Sequence, residues 1–239
     1  KNSLLFLICL IPLSLGFIIP VSILLNFVIK GYSIINFFEI FQITLSSISL
    51  AFISSSFIML LSLLMIIVGA YKSNNFQKIL IFFASSGYAF PGTILAVGIV
   101  VFVGWLNDLI YFRMSYAVGG FIILLFAYSI RFLAVGNGAI TSGISRIHPN
   151  LLDASRTMGV SFFKSIRKII LPLLYTNLLV GGILVFVDIL KELPITLLLR
   201  PFNFETLATY VYQYASDEML EESAFAALII VIAGLGPVI

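Results

Sequence analysis

The sequence predicts an all-α integral membrane protein with about six transmembrane helices, and two observations lead to this fold class. The first is composition: 61% of the 239 residues are hydrophobic and only 10% are charged, whereas soluble domains usually have about 25% charged residues. The mean hydropathy is correspondingly high, at +1.19. The second is that the apolar residues lie in runs of about 20 or more, the length that a helix needs to cross a bilayer.

The predicted spans are separated by short polar or charged segments. They are Leu4–Phe27, Ile43–Ala70, Ile79–Trp105, Ala117–Ala139, Ile169–Ile189 and a last run from Ser223 onward. We expect them to form a single transmembrane domain over residues 1–239. Because the sequence starts at Lys1 rather than at methionine and stops inside an apolar run, we expect it to be a piece of a longer protein.

The charged residues between these spans favour one orientation. If Lys1 lies inside, the basic residues collect inside and most acidic residues lie outside, as the positive-inside rule requires. The inside set is Lys1, Lys72, Lys78, Arg131, Arg146, Arg156, Lys164, Arg167 and Lys168, with the one acid Asp153. The outside set is Lys30, Arg113, Lys191 and Arg200, with the acids Glu39, Asp108, Asp188, Glu192, Glu205, Asp217, Glu218, Glu221 and Glu222. The N-terminus and the loop at 146–168 are therefore predicted to be cytoplasmic.

That loop predicts a short amphipathic helix, a sharp turn and a second, basic helix. Pro149 suits the first turn of a helix, and Asp153 lies near its positive dipole end. Gly159 is placed to end the helix in a left-handed cap, and Ser161 can cap the next one. A projection of this kind fits a groove on a soluble partner. Its apolar face comprises Ile147, Leu151, Leu152 and Met158.

The spacing in this loop resembles the EAA loop of binding-protein-dependent ABC importer permeases. Asp153-Ala154-Ser155 is followed by Gly159 and by Ile169-x-Leu171-Pro172, with Asp153 in place of the usual glutamate and Ser155 in place of the second alanine. The resemblance implies the type I importer fold, with this loop as the coupling helix that docks into a cytoplasmic ATPase dimer. The coupling residues that it implies are Leu151, Leu152, Asp153, Ala154, Ser155, Met158 and Gly159.

The same resemblance implies the partners of the chain. They are the ATPase dimer, a periplasmic substrate-binding protein, a second permease half that is either fused or a dimer partner, and the lipid of the bacterial inner membrane. ATP and Mg²⁺ would bind to the ATPase, because this chain has Phe163 where a phosphate loop needs glycine before Lys164. With one histidine and one cysteine, we expect no metal or catalytic centre, no cofactor and no nucleic-acid partner, and hence a transport subunit rather than an enzyme.

Two further stretches resemble the ferric-iron branch of these permeases, in particular their C-terminal half. The first is Gly87-Tyr88-Ala89-Phe90-Pro91-Gly92, and the second runs from Lys191-Glu192-Leu193-Pro194 through Leu199-Arg200-Pro201 to Thr206-Leu207-Ala208. The second stretch, Lys191–Ala208, implies ferric iron as the cargo. The same architecture carrying thiamine, sulfate, phosphonate or polyamine stays an alternative, and a secondary transporter is an alternative of a different class.

Residues that break or charge the third and fourth spans are candidates for a gate or a transport path. Tyr88, Pro91 and Gly92 interrupt the third span, and broken helices at mid-depth often line such paths, although a packing kink would look the same. Arg131 lies toward the predicted cytoplasmic end of the fourth span, where it either takes part in gating or anchors the helix at the interface.

The end of the fifth span supplies the remaining candidates, Asp188, Lys191 and Glu192, at the predicted outer membrane edge. Asp188 and Lys191 can pair at i, i+3 spacing before Pro194 stops the helix. The segment 191–222 is then predicted to be external. It is expected to contain a short interfacial helix with belt residues Tyr210, Tyr212 and Tyr214, and its acids either attract a cation or a binding protein or are simply solvated.

Overall fold

The computed structural model describes residues 10–71, 75–110, 116–148 and 150–237, and every regular element in these ranges is a helix. The predicted all-α class is therefore confirmed. In chain order the helices are α1 (Leu10–Gly31), α2 (Phe37–Tyr71), α3 (Asn75–Ser85), α4 (Gly92–Ile110), α5 (Tyr116–Ile144), α6 (Asn150–Thr157), α7 (Phe162–Leu190), α8 (Pro194–Leu199), α9 (Leu207–Ser216) and α10 (Leu220–Leu235).

Four of these helices are long and apolar enough to cross a membrane by themselves. They are α1, α2, α5 and α7, and the bent pair α3 and α4 supplies a fifth span if it is taken as one unit. The last helix, α10, has 16 residues, fewer than the roughly 20 that a span needs, so the sixth span stays a prediction. Predictions that concern Lys1, Lys72, Arg113 and Pro149 lie outside the described residues.

Helix α2 begins earlier than the predicted span at Ile43. Asn36 precedes the helix and accepts the Glu39 N–H at 3.3 Å, while its own amide nitrogen lies 3.2 Å from Glu39 Oε2. The first contact satisfies one of the backbone N–H groups that a helix start leaves free, and the second joins the two side chains. The helix then runs for 35 residues, or about 52 Å. Glu39 and Gln42 interrupt the apolar run near its start, and the predicted span began only after them.

The chain divides into two compact units, of which Leu50–Phe202 is one. In this unit α5 packs antiparallel against α7, and small residues allow the two backbones to approach closely. Asn177 of α7 donates a hydrogen bond to the Ala139 carbonyl at 3.2 Å. A β-carbon at Gly143 would come within 2.6 Å of Leu174. These contacts fix the register of α7 along α5.

The other unit combines Lys1–Ser49 with Asn203–Ile239. Its core is a cluster of Ile35, Ile40, Ile43, Leu207, Tyr210 and Ala226, and the Ser47 hydroxyl accepts the Leu207 N–H at 2.7 Å. Tyr210 is only 4% exposed and its ring lies 4.4 Å from that of Tyr214. The prediction of a tyrosine belt is therefore wrong for Tyr210, because residues four apart share one helix face and this face is turned to the core.

Candidate transport path and coupling loop

Arg131 lies near the middle of a membrane-spanning helix. The apolar span of α5 is Gly120–Ile144, and Arg131 stands about 16 Å along the axis from its first residue and about 20 Å from its last. The hydrocarbon core of a bilayer is about 30 Å thick. Arg131 is thus a mid-span charge, rather than a residue near the cytoplasmic end of its helix as the sequence predicted.

The charge that faces Arg131 is Glu192. Arg131 Nε lies 3.5 Å from Glu192 Oε2, and the two side chains are 21% and 7% exposed. The prediction that Arg131 belongs to the inside set and Glu192 to the outer membrane edge is therefore wrong for this pair, because the two groups are in contact. Helix α7 ends at Leu190 for a local reason: Pro194 has no N–H and cannot continue the helix.

Beyond this break the chain continues alongside α5. The hydroxyl groups of Tyr128 and Thr196 are 2.6 Å apart, and a β-carbon at Gly120 would come 2.8 Å from Pro201. The segment Glu192–Pro201, which includes α8, therefore follows α5 from its middle back to its start. It continues the path of α7 after a break and packs along α5. That the segment from Lys191 is external stays a prediction.

A second helix break meets the first at Arg131. Helices α3 and α4 are bent by 116° across the short turn between them. Phe90 is extended (φ −80°, ψ 136°), as expected of a residue before proline, here Pro91. Gly92 then starts α4 directly against the ion pair: a β-carbon there would collide with Arg131 Nη1 and lie 2.9 Å from Glu192 Oε1.

The ion pair is part of a hydrogen-bonded group that starts α8. Glu192 Oε1 accepts the Ile195 N–H at 3.4 Å, and the Glu192 carbonyl accepts the Thr196 hydroxyl at 2.6 Å. Arg131 Nε and Nη1 are buried without a hydrogen-bond partner among the described residues. The pair is therefore held by charge and by packing rather than by a good hydrogen bond, which makes it sensitive to small helix movements.

The sequence identified some residues of this cluster and missed others. Gly92, Arg131 and Glu192 were each predicted as candidates, but their contact with one another was not predicted. Tyr128 and Thr196 were not predicted. A signal exists for Tyr128, because it lies three residues before Arg131 on the same face of α5. Glu192 lies in the break before α8, so helix periodicity does not connect it with Thr196. Tyr88 lies apart, 52% exposed, with its ring 6.5 Å from that of Phe132.

Asp188 and Lys191 form a second ion pair close to the first. Lys191 Nζ lies 2.8 Å from Asp188 Oδ1, as the i, i+3 spacing predicted, but the exposure differs from that of the buried pair: the Lys191 side chain is 62% exposed and that of Asp188 18%. No group of three His, Cys, Asp or Glu side chains that could hold a metal ion occurs in the described ranges. The charged side chains at the end of α7 and at Arg131 are thus arranged as two ion pairs.

The predicted coupling loop has the expected local structure. His148 Nδ1 accepts the Asn150 N–H at 3.3 Å where α6 begins. Gly159 has a φ of +71°, and the Val160 N–H bonds to the Ser155 carbonyl at 3.0 Å, as in a left-handed helix end. The side chains of Leu152 and Asp153 lie outside the described residues, although their backbone is within α6.

The surface of this loop presents large apolar side chains. Met158 and Phe163 are each 80% exposed, and Leu151 is 44% exposed. Leu151 lies on α6, Met158 lies in the turn just before Gly159, and Phe163 lies at the start of α7. Together they form an apolar projection, which we call the loop knob (Leu151, Met158 and Phe163). Exposed apolar groups on a rigid turn are typical of a docking surface.

Ser155 and Ser165 hold the two arms of the loop together. Both are buried, and their hydroxyl oxygens lie 3.0 Å apart. Ala154, the neighbouring candidate, is exposed. Ser161 takes the N-cap position, but its side chain makes no capping hydrogen bond; its carbonyl instead accepts from the Ser165 hydroxyl at 3.2 Å. Ser155, which stands in place of the second alanine of the EAA loop, therefore makes a specific contact with Ser165.

This contact gives a prediction with a matched control. Ser155→Ala loses one hydrogen bond and should destabilise the loop by about 1 kcal/mol. Ser155→Leu overfills a buried position and should cost about 1–3 kcal/mol. Limited trypsin cleavage after the nearby Arg167 and Lys168 measures loop opening, and the leucine variant should be cut faster than the alanine variant. Equal cleavage rates for both variants and the original chain would show that Ser155 does not join the arms.

Comparison with known proteins shows the family of the chain. Residues 62–238 match the family described as binding-protein-dependent transport system inner membrane component. Since the match covers most of the chain, the chain belongs to this family, the membrane permeases of ABC importers.

More specifically, the chain is 24% identical over 229 residues to the Fe(3+)-transport system permease protein FbpB 2 of Haemophilus influenzae, which covers 93% of this chain but 43% of that protein. The chain thus spans less than half the length of this relative.

Solved structures share the fold at low sequence identity. A chain of a bacterial alginate ABC transporter, in complex with a periplasmic protein that holds an alginate pentasaccharide, superposes with a TM-score of 0.72 at 18% identity, over 99% of this chain and 93% of that one. The inward-facing MetNI methionine ABC transporter gives a TM-score of 0.58 at 14% identity, over 83% and 92%. At these identities the likeness concerns the fold alone.

Proposed function

We propose that the chain is a permease domain of an ATP-driven importer that moves ferric iron delivered by a periplasmic binding protein. The observation that carries the coupling role is the loop knob, held at a glycine turn with a φ of +71° and at the foot of a membrane-spanning helix. An ATPase dimer docks on this knob from the cytoplasm, and a second permease half, fused or as a separate copy, completes the membrane part.

Helix α7 supplies a mechanical link between the loop and the membrane interior. It runs for 29 residues from Phe162, or about 43 Å, and it ends at the break beside Arg131 and Glu192. When the ATPase dimer closes, a movement of the loop is transmitted along this one helix to the place where the two helix breaks meet. The transport path between the two permease halves then opens alternately to each side of the membrane, which is the alternating access that broken helices at mid-depth suit.

The cargo proposal is supported by the relative named as an Fe(3+)-transport system permease and by the stretch Lys191–Ala208 in the sequence. It is tested with the full-length protein, its ATPase and its binding protein in proteoliposomes. Radiolabelled ferric iron is offered beside thiamine and sulfate, with and without ATP. We expect ATP-dependent accumulation of iron alone.

The other outcomes of this experiment are equally informative. ATP-dependent uptake of thiamine or sulfate would retain the importer and reject iron as its cargo. Uptake that follows an ion gradient and continues after ATP is removed would reject the importer as well, in favour of a secondary transporter.

A further inference from the structure

Helix α1 carries a stripe of exposed polar side chains next to a stripe of apolar ones. The polar residues follow one another at a spacing of four, and so do the apolar residues, so each stripe lies along one face of the helix. Between them is a groove of about 380 Å³, which we call the α1 groove. It is lined by Ser22, Asn26 and Lys30 on the polar side and by Ile19, Ile23 and Phe27 on the apolar side.

The length of α1 indicates the depth of each polar group. Its apolar span is Leu10–Gly31, about 33 Å long, and the hydrocarbon core of a bilayer is about 30 Å thick. Lys30 stands in the last turn of this span, so a helix that crosses the bilayer once holds the lysine at the level of the headgroups. Asn26 lies about 6 Å deeper and Ser22 about 12 Å deeper. The polarity of the stripe therefore falls with depth, from a charge through an amide to a hydroxyl.

Two of these three polar groups need a partner from outside the described residues. Ser22 is satisfied, since its hydroxyl donates to the Ile18 carbonyl at 2.7 Å. In the part of the chain that the structure describes, the Asn26 amide makes no hydrogen bond and Lys30 makes no ion pair, although Glu221 packs close to the neighbouring Gly31. An amide without a partner is strongly unfavourable in hydrocarbon. Whatever occupies the α1 groove must therefore supply a hydrogen-bond acceptor for the amide and an anion for the lysine.

We infer that the α1 groove binds one phospholipid molecule with a negatively charged headgroup. Such a lipid carries its groups in the order that the groove requires. Its phosphate attracts Lys30 at the membrane surface, and an ester carbonyl just below the phosphate accepts a hydrogen bond from the Asn26 amide. An acyl chain then lies along Ile19 and Ile23, which are 47% and 50% exposed. The inference goes beyond the proposed transport function, because it assigns the chain a specific lipid ligand.

The test is the retention of lipid by the assembled transporter. The full-length protein with its ATPase is purified in detergent that contains equal amounts of dioleoyl-phosphatidylglycerol and dioleoyl-phosphatidylethanolamine. These lipids share their ester groups and acyl chains but differ in net charge, and native mass spectrometry measures how much of each stays bound. The variants are Lys30→Gln, which removes the cation, and Asn26→Leu, which removes the amide.

The matched control is Lys78→Gln. Lys78 is also exposed and also stands at the end of an apolar segment, the one that starts α3. One turn further along, however, it has Phe82, 70% exposed, where the α1 groove has an amide. The control thus removes an exposed lysine of the same kind without changing a polar stripe.

We expect Lys30→Gln to lower the retention of phosphatidylglycerol about fivefold and to remove the preference for it over phosphatidylethanolamine. Asn26→Leu should lower the retention of both lipids alike, because both carry the ester carbonyl, and Lys78→Gln should change neither. Equal effects of Lys30→Gln and Lys78→Gln would overturn the inference, and so would unchanged retention in both groove variants, the result expected if a protein segment covers the groove. Since the measurement needs neither iron nor ATP transport, its outcome is independent of the cargo proposal.

Discussion

Replacement of Gly159 by valine is expected to remove most of the ATP-driven uptake while the protein still inserts in the membrane. Gly159 has a φ of +71° and nothing lies within 4 Å of the place where its β-carbon would be. The substitution therefore fails because of the backbone, not because of a clash with neighbours. A left-handed conformation costs an ordinary residue about 1–2 kcal/mol, and β-branched side chains such as valine tolerate it least.

In the valine variant the turn can relieve this strain by changing to a negative φ at position 159. That change alters the orientation of α6 and of the loop knob relative to α7. If about 1.4 kcal/mol of this strain is lost from the free energy of ATPase binding, the ATPase binds about tenfold more weakly. Affinity capture of the ATPase by the reconstituted permease and ATP-dependent uptake both measure this effect. Gly159→Asn should retain more of both activities, since asparagine accepts the left-handed region better than valine does.

Gly138→Ala is the matched control for a glycine substitution. Gly138 lies within α5 and also has nothing within 4 Å of a new β-carbon, but its φ is not positive. Alanine there should favour the helix by about 0.5–1 kcal/mol and leave docking and uptake as they are. If Gly159→Val docked and transported like the original chain, the left-handed turn would have no part in coupling.

The local features of this protein could be predicted from the sequence because they depend on neighbours in the chain. The left-handed turn at Gly159 is an example: the residue type and the apolar face before it are both visible in the loop. The same holds for the pairing of Asp188 with Lys191 three positions later. Hydropathy located four of the spans, and a fifth as the bent pair α3 and α4, for a similar reason, since the length of an apolar run reports directly on what a bilayer accepts.

The arrangement around Arg131 could not be predicted because it depends on a break in α7 and on what the chain does afterwards. A positive-inside count assigns each charge to one side of the membrane. It cannot describe a chain that leaves α7 and then continues beside the middle of α5. Glu192 was therefore placed outside and Arg131 inside, although the two are 3.5 Å apart. Pro194 was correctly taken as a helix stop, but a helix stop was then taken as a membrane surface.

Removal of one member of this largely buried pair is expected to destabilise the transmembrane domain strongly. Arg131→Met keeps an apolar stem of similar length but leaves the Glu192 carboxylate, 7% exposed, without its cation. Loss of one partner of a buried pair typically costs about 3–5 kcal/mol. The midpoint of thermal unfolding in detergent, or in the reconstituted complex, should fall markedly.

The double variant Arg131→Met/Glu192→Gln should recover most of this loss. Glutamine keeps the shape of Glu192 and an oxygen that accepts the Ile195 N–H, now at 3.4 Å, while it removes the uncompensated charge. Lys191→Gln is the matched control, since it breaks an ion pair on the neighbouring turn whose lysine is 62% exposed; exposed pairs contribute about 0–1 kcal/mol. A loss in Arg131→Met no larger than in this control would contradict the account of the buried pair.

Gly92→Ala tests the same contact from α4, the third helix that meets at this ion pair. A β-carbon at Gly92 collides with Arg131 Nη1, so the single variant must displace the guanidinium and should lose stability through the same broken pair. In the Arg131→Met background the guanidinium is absent, and the alanine should then cost much less. Residues in direct contact show such non-additivity, with coupling energies of about 0.5–3 kcal/mol. Additive losses in the double variant would mean that Gly92 and Arg131 do not meet, and that the two helix breaks are not joined at this charge.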